Sequence, residues 1–383
     1  MPKPRSGAPW LLVSGGFHRR GAMDLANLAL AQHLLTEGRD VHLVGHDIDP
    51  ALAARRGVHA HPVARLGAVA VGELMLDRTA RRLSAALRTN HPDLHVIANG
   101  GNCATSDVNW VHSVHHAWPV AQGAGPLGRR LKRQIESRVF KRREARAFRN
   151  ARLVIANSQR TREDLLEHLR LDSARIHVIP PGADPSWRPV SAEQRRDARL
   201  QLGITGPVAL FVGVLGADDN KGFGPALEAW RVLCADPLWQ GTLLVCGSGP
   251  LAAAWQREVR RDGLERRVRF LGFVPDVARV LSTSDVLVSA SRYESYGLAI
   301  AEALCRGVPA VIPAGAGIAA SLSADYQALL IRGTPNAQNL VEALRRWAAD
   351  EERWRRVAAE EGARLRQYTT EDMAEAVVRV VEA

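Results

Sequence analysis

Short apolar runs alternate along this chain with longer stretches in which apolar residues recur at helical spacing. Trp-Leu-Leu-Val at 10–13 is the first run, and a glycine-bearing turn, SGGFHRRGAMDL at 14–25, leads from it into a helical pattern that ends near Glu37. Asp-Val-His-Leu-Val at 40–44 is the next run. Further strands are expected near 95–98, 109–112, 153–156 and 175–179. Apolar runs separated by helical patterns predict a parallel sheet covered by helices on both faces.

The segment PPGADPSWRPVSAEQ at 180–194 breaks the alternation with four prolines and reads as a linker. The pattern then restarts. Pro-Val-Ala-Leu-Phe-Val at 207–212 is followed by the turn GVLGADDNKGFG and a helix to about Ala235. Thr-Leu-Leu-Val-Cys at 242–246 leads into GSGP and another helix, and strands near 268–270, 286–288, 310–312 and 329–331 complete a second sheet. Residues 336–383 read as helices. The expected organisation is α/β, with two Rossmann-like doubly wound domains. An N-terminal domain would span 1–187 and a second domain 188–365, with a C-terminal helix at 366–383 returning to the first.

One stretch stands out. In SRYESYGLAIAEALCRGVPAVI, residues 291–312, Glu294 and Glu302 flank the start of an apolar helix that Gly307 and Pro309 close. Glu294 falls in a strand-to-helix turn, Gly297 permits close backbone approach, and the first helical amides near Ser295 to Leu298 form an anion site. Glu302 is expected more than two turns farther along the same helix as Glu294. As structural residues, Glu294 would stabilise the helix start and Glu302 would be a solvated side chain. The second reading is weakened by the apolar neighbours Ala299, Ile300, Ala301, Ala303 and Leu304, because a carboxylate in such surroundings is costly unless something binds it.

Other turns carry candidate chemistry. Gly15 and Gly16 lie in a strand-to-helix turn where backbone amides can approach a phosphate or a sugar, although the dinucleotide spacing G-x-G-x-x-G is absent. A tight turn without a ligand fits them equally. Lys221, in ADDNKG, opens a helix whose dipole disfavours a cation there, which makes sense beside a phosphate; Asp218, Asp219 or Asn220 can simply cap the helix. Gly247 and Gly249 in CGSGP form a similar turn. His112, His115 and His116 end a strand, and a sugar contact fits them better than a metal because no fourth ligand is evident.

Composition narrows the picture. A chain of 383 residues is long enough for two cores, and its net charge of +11 favours an anionic partner. The four cysteines, Cys103, Cys234, Cys246 and Cys305, show neither metal nor disulfide spacing, which fits a reducing, cytoplasmic setting. The N-terminal segment reads as neither signal peptide nor anchor, and no stretch approaches a membrane span. Ten Lys/Arg and two Glu between Arg129 and Arg149 give +8 on one helical stretch, with Leu131, Ile135 and Val139 as an apolar stripe. A solvated face and a dock for an anionic membrane surface or acceptor both fit it.

The glycine turn, the histidine, NSQRTREDL, VIPPGAD, FVG…KG, CGSGP, FLGFVPD and the paired glutamates occur in this order. Together they resemble the retaining glycosyltransferases of family 4, which have the GT-B architecture of two Rossmann-like domains facing across a cleft. The likeness spans nearly the whole chain, is strongest over 153–312 and is weak over 45–95. It implies transfer of a sugar from a nucleotide-sugar donor, most simply a UDP- or GDP-sugar, to a hydroxyl acceptor with retention of configuration. No cofactor or essential metal is implied, and no nucleic-acid partner.

By the same resemblance Glu302 would hold the ribose hydroxyls and Glu294 and His112 would face the sugar. Backbone amides at Tyr296, Gly297 and Leu298 would bind the diphosphate or the sugar, Lys221 would bind the diphosphate, and Ser295, Gly213 and Gly247 would belong to the same donor site. Gly15 and Gly16 would face it from the other domain, and the backbone near Val274 would meet the base. The chain departs from the family at Val214, where an arginine is usual, at Ala290, where a proline is usual, and in AGAGIAA at 314–320. A nucleotide-sugar epimerase is the alternative on the same fold, and a basic nucleic-acid-binding module is a third reading. An epimerase would consume donor without acceptor, and nucleic-acid binding would fall steeply with salt.

Overall fold

The computed structural model describes residues 7–19, 21–65, 69–118 and 127–383, with the side chains of 22, 69, 70 and 127–136 outside that description. The chain divides into two units. Among the described residues the first comprises residues from 7 to 118, 127–182 and 370–383, and the second comprises 183–369.

The first unit is built on a seven-stranded parallel sheet. Its strand order is Val58–Pro62, Val41–Gly45, Trp10–Val13, His95–Ala98, Val108–Val111, Leu153–Ala156 and Ile176–Val178. Trp10–Val13 and Val108–Val111 are buried at every position, as a sheet covered on both faces requires. The edge strand Val58–Pro62 has no buried residue and is defined by its pairing with Val41–Gly45. Its sequence, Val-His-Ala-His-Pro, lacks the apolar run by which the inner strands are read. The helix Thr370–Glu382 belongs to this unit. His33 Nδ1 lies 2.6 Å from Glu371 Oε1, Arg39 Nη2 lies 2.8 Å from Glu382 Oε1, and Arg152 donates to the Val381 carbonyl at 3.0 Å.

The second unit holds a six-stranded parallel sheet in the order Val268–Gly272, Thr242–Cys246, Val208–Val212, Val286–Val288, Ala310–Pro313 and Leu330–Ile331. Backbone bonds tie the loops at the carboxyl ends of three neighbouring strands. Gly213 N donates to Cys246 O at 2.9 Å, Leu215 N to Ser248 O at 3.0 Å, and Gly247 N to Gly272 O at 2.8 Å. In open α/β sheets this rim is where ligands bind.

At the opposite rim Asp285 is buried and gathers cations. It pairs with Arg195, accepts from Arg199 Nη1 at 3.1 Å and Arg355 Nη2 at 3.3 Å, and caps Val208 N at 2.8 Å. Removing one partner of a buried ion pair leaves the others uncompensated. Asp285→Ala is therefore expected to cost about 3–5 kcal/mol in denaturant-induced unfolding of this unit; a loss below ~1 kcal/mol would show that Asp285 is a surface-like pair after all.

Candidate functional site

The segment from Ala290 to Leu298 leaves the fourth strand of the second sheet and enters the helix Leu298–Cys305. The helix is shorter than its sequence pattern suggests, because Gly297 stands just before it at φ +110°, a left-handed conformation suited to glycine. A Cβ at that position would lie 2.7 Å from Ile300 Cδ1. Glu294 therefore precedes the helix, and Glu302 lies four residues into it, about one turn from its start rather than two. Ile300 N and Ala301 N make the first helical bonds, both to Gly297 O at 3.0 Å, which leaves the Leu298 and Ala299 amides at the helix mouth. The loop is gripped from the 314–320 segment, where Gly317 N donates to Glu294 O at 3.0 Å and Ile318 N to Tyr296 O at 2.9 Å. Tyr296 itself is buried and burial pushes its phenol well above the ordinary range, so only its backbone is available to a ligand.

The structure brings Lys221 and Glu294 together. Lys221 Nζ lies 2.7 Å from Glu294 Oε2, and Ser291 Oγ donates to the same oxygen at 3.2 Å. The cation expected on a phosphate and the carboxylate expected on a sugar are thus each other's partner. Lys221 is not in a helix. The helix Phe223–Cys234 starts two residues later, after Gly222 at φ +72°. A Cβ on Gly222 would meet the Ala290 carbonyl at 1.9 Å, so only glycine lets these two loops touch. Asp219 accepts from Gly224 N at 3.3 Å, whereas Asn220 does not cap the helix and turns to Tyr293 instead.

Gly213 and Gly247 meet at the rim, where a Cβ on Gly247 would come within 1.8 Å of the Gly213 carbonyl, and one on Gly213 within 2.9 Å of Lys221 Cγ. Val274 follows the strand Val268–Gly272 at its carboxyl end and is half-buried. Exposed Val214 and Phe273 flank this rim.

Glu302 is largely buried, and that burial raises its pKa above the usual glutamate value against the opposing pull of Arg306. Arg306 donates to it at 3.1 Å within the same helix, a partner the sequence pattern did not reveal. If Glu302 holds ribose hydroxyls as the resemblance implies, it does so as the carboxylate, and nucleotide affinity should weaken as pH falls through this raised pKa. The inflection should sit above that of a free glutamate and vanish in Glu302→Gln, as followed by calorimetry across pH.

In the first unit His112 follows the strand Val108–Val111, its ring tilted against Trp110 at 5.0 Å. Asn157 fixes its carbonyl at 3.1 Å. Its Nε2 is buried and has no hydrogen-bond partner among the described residues, and burial lowers its pKa to about 4. His115 and His116 face elsewhere. Both approach buried Glu144, at 2.7 and 3.7 Å. Burial opposes protonation of His115, but the hydrogen bond and charge of Glu144 outweigh it and raise its pKa. Among the described residues no group of three or more metal-ligating side chains gathers.

Gly15 and Gly16 sit in the first turn of that unit without left-handed backbone. A Cβ on Gly15 would enter open space, whereas Gly16 begins a two-residue strand paired with Asp47–Ile48. The basic helix spans Leu127–Asn150. Glu144, Ala145, Ala147 and Phe148 are buried, Val139, Arg138, Arg142, Arg146 and Arg149 are exposed, and Arg143 reaches Glu73 at 3.8 Å. The side chains of Leu131 and Ile135, and of Arg129, Arg130, Lys132 and Arg133, lie outside the described residues.

The family described as glycosyl transferases group 1 matches residues 194–368, and the one described as Glycosyltransferase Family 4 matches 27–187. The chain belongs to the group 1 GT-B glycosyltransferases. Mannosylfructose-phosphate synthase of Agrobacterium fabrum is 31% identical over 48% of this chain and 42% of its own length. A D-inositol 3-phosphate glycosyltransferase of Corynebacterium urealyticum is 30% identical over 72% and 66%. The matched region spans about half the length of the first of these curated relatives.

In fold, the chain matches WaaG, a glycosyltransferase involved in lipopolysaccharide biosynthesis, with TM-score 0.76 at 18% identity over 97% of this chain and 99% of that one. It also matches Anabaena HepE in complex with UDP-glucose, with TM-score 0.74 at 17% identity over 98% and 100%. These likenesses establish the GT-B fold of two Rossmann-like units. In this GT-B chain the second unit carries Lys221, Glu294 and Glu302 on adjoining loops and one helix, and the first carries His112.

Proposed function

We propose that this GT-B protein is a retaining glycosyltransferase that takes a sugar from a UDP- or GDP-linked donor to a hydroxyl on a glycan, lipid-linked glycan or small molecule. The observation that carries the reading is the Lys221–Glu294 pair, 2.7 Å apart, beside the helix mouth at Leu298 and Ala299, with Glu302 one turn beyond. Lys221 and the two amides would take the diphosphate, Glu302 the ribose, and Glu294 the donor sugar. The backbone near Val274 would meet the base, and Gly213 and Gly247 would admit the phosphates. As the glycosidic bond breaks, negative charge grows on the leaving diphosphate, and fixed cations and amides stabilise it without a proton transfer. The resemblance adds front-face attack, in which the leaving phosphate assists deprotonation of the acceptor, and no essential metal. His112, with a buried Nε2 that has no hydrogen-bond partner among the described residues, suits a sugar hydroxyl.

Two structural neighbours support the donor class, because HepE is described in complex with UDP-glucose and starch synthase IV bound to ADP. The test is thermal denaturation with UDP-, GDP-, ADP- and dTDP-sugars, with and without chelator. A ligand at a hundredfold its dissociation constant stabilises by about 2.7 kcal/mol. No shift with any of the four would overturn the pocket. Donor consumed without acceptor would favour an epimerase.

The exposed arginines of the basic helix suit an anionic surface, and no helix among the described residues is long and apolar enough to cross a membrane. Each basic residue near such a surface contributes ~1 kcal/mol. Wild-type protein should therefore cosediment with anionic but not neutral vesicles at low salt, and the combined change of Arg138, Arg142 and Arg146 to glutamate should abolish it. Equal sedimentation with both vesicle types would leave the helix a solvated face.

A further inference from the structure

The pair that defines the donor pocket sits on two separate loops, and one residue stitches those loops together. Asn220 is buried in the second unit. Its Nδ2 donates to the Tyr293 carbonyl at 3.1 Å, and its Oδ1 accepts from the Tyr293 amide at 3.1 Å. Its own carbonyl accepts from Arg292 N at 2.8 Å. The carboxamide thus pairs with both polar groups of one peptide residue, as a neighbouring strand would. Lys221 follows Asn220 and Glu294 follows Tyr293, so this pairing sets the register in which the two charged side chains face each other. Gly222, whose Cβ position the Ala290 carbonyl occupies, brings the loops close but contributes no directional bond.

We propose that Asn220 is a positioning residue of the donor site: by pairing with Tyr293 it holds Lys221 against Glu294 and presents the lysine to the diphosphate. The proposal rests on the donor-pocket reading above for its consequence, though not for the contact itself. A side chain whose only role is to fill space is replaceable by one of the same shape. One that acts through paired hydrogen bonds is not, because leucine, with the same heavy-atom branching, can make neither of the two bonds to Tyr293. Asn220 never touches the nucleoside in this scheme, so its loss should be felt at the phosphates alone.

The experiment compares wild type, Asn220→Ala and Asn220→Leu by calorimetry with UDP and uridine, and with GDP and guanosine. Two lost hydrogen bonds predict a fall of about tenfold or more in diphosphate affinity in both variants, with nucleoside affinity within about twofold. Two readouts need no ligand. The Tyr293 amide, which donates to Asn220 Oδ1, should exchange faster in both variants than in wild type, and the thermal-stability coupling between Lys221→Met and Glu294→Gln should disappear in the Asn220→Leu background. Restoration of diphosphate affinity by leucine would reduce Asn220 to packing and overturn the proposal. So would equal losses for nucleoside and diphosphate, or coupling that persists without Asn220. If wild type binds none of the four compounds, the donor-pocket reading falls, and the ligand-free readouts still decide whether Asn220 sets the register.

Discussion

Lys221→Ala should slow sugar transfer by about 10²–10³-fold, the usual cost of removing one fixed charge or donor aimed at developing negative charge. Two effects act together. In the proposed scheme the leaving diphosphate loses its ammonium partner, and Glu294 loses the counter-ion that lies 2.7 Å from it. An uncompensated carboxylate then faces the position the phosphates must occupy, so the single substitution should weaken UDP or GDP binding as well as transfer. Neutralising that carboxylate should undo part of the damage. In Lys221→Ala, Glu294→Gln the diphosphate affinity should exceed that of Lys221→Ala alone, a coupling measurable in a double-mutant cycle. Nucleoside affinity should stay near wild type throughout. Unchanged diphosphate affinity and turnover in Lys221→Ala would remove the lysine from the pocket and leave its pair with Glu294 as a structural contact.

The sequence revealed the two-sheet architecture because both sheets are parallel and buried on both faces, so their strands are continuous apolar runs such as Leu-Phe-Val at 210–212. Val58–Pro62 escaped notice for the converse reason, since at the edge its histidines stay exposed and pairing alone makes it a strand. The site was legible where glycine carries a physical requirement, as at Gly297, whose left-handed backbone ends the loop that holds Glu294. It was not legible where partners come from distant loops. Asn220 reads as a helix cap in sequence, yet it bonds to Tyr293, 73 positions away. Arg306 stands four residues after Glu302, the spacing at which a helix pairs a glutamate with a cation, but the apolar run on either side of Glu302 points to an outside ligand instead. The histidine cluster divides for a reason no spacing shows: buried Glu144, from a helix nearly thirty residues later, draws His115 and His116, whereas His112 Nε2 has no hydrogen-bond partner among the described residues.

That division gives the second expected result. His112→Ala should lower the transfer rate by roughly ten- to a hundredfold while nucleotide affinity changes little. The estimate takes about 1.5–3 kcal/mol for a hydrogen bond to a group that gains charge in the transition state. Burial holds the His112 pKa at about 4, so at neutral pH the ring is uncharged, and Nε2 can donate or accept according to tautomer. The charged form is the disfavoured one in the folded protein. Stability linked to His112 is therefore intact above its ordinary value near 6.5 and declines as pH falls from there toward 4, because the unfolded chain takes up the proton first. Between about pH 6.5 and 8 the transfer rate should show no inflection from His112, since an unperturbed histidine would titrate at the lower end of that span and this one has already lost its proton. Glu302→Gln should give the opposite split, losing nucleotide affinity with little change in turnover at saturating donor. Measuring binding by calorimetry and transfer at saturation separates the two. A His112→Ala protein that loses nucleotide affinity yet turns over at the wild-type rate once saturated would place the imidazole on the nucleotide and not on the sugar.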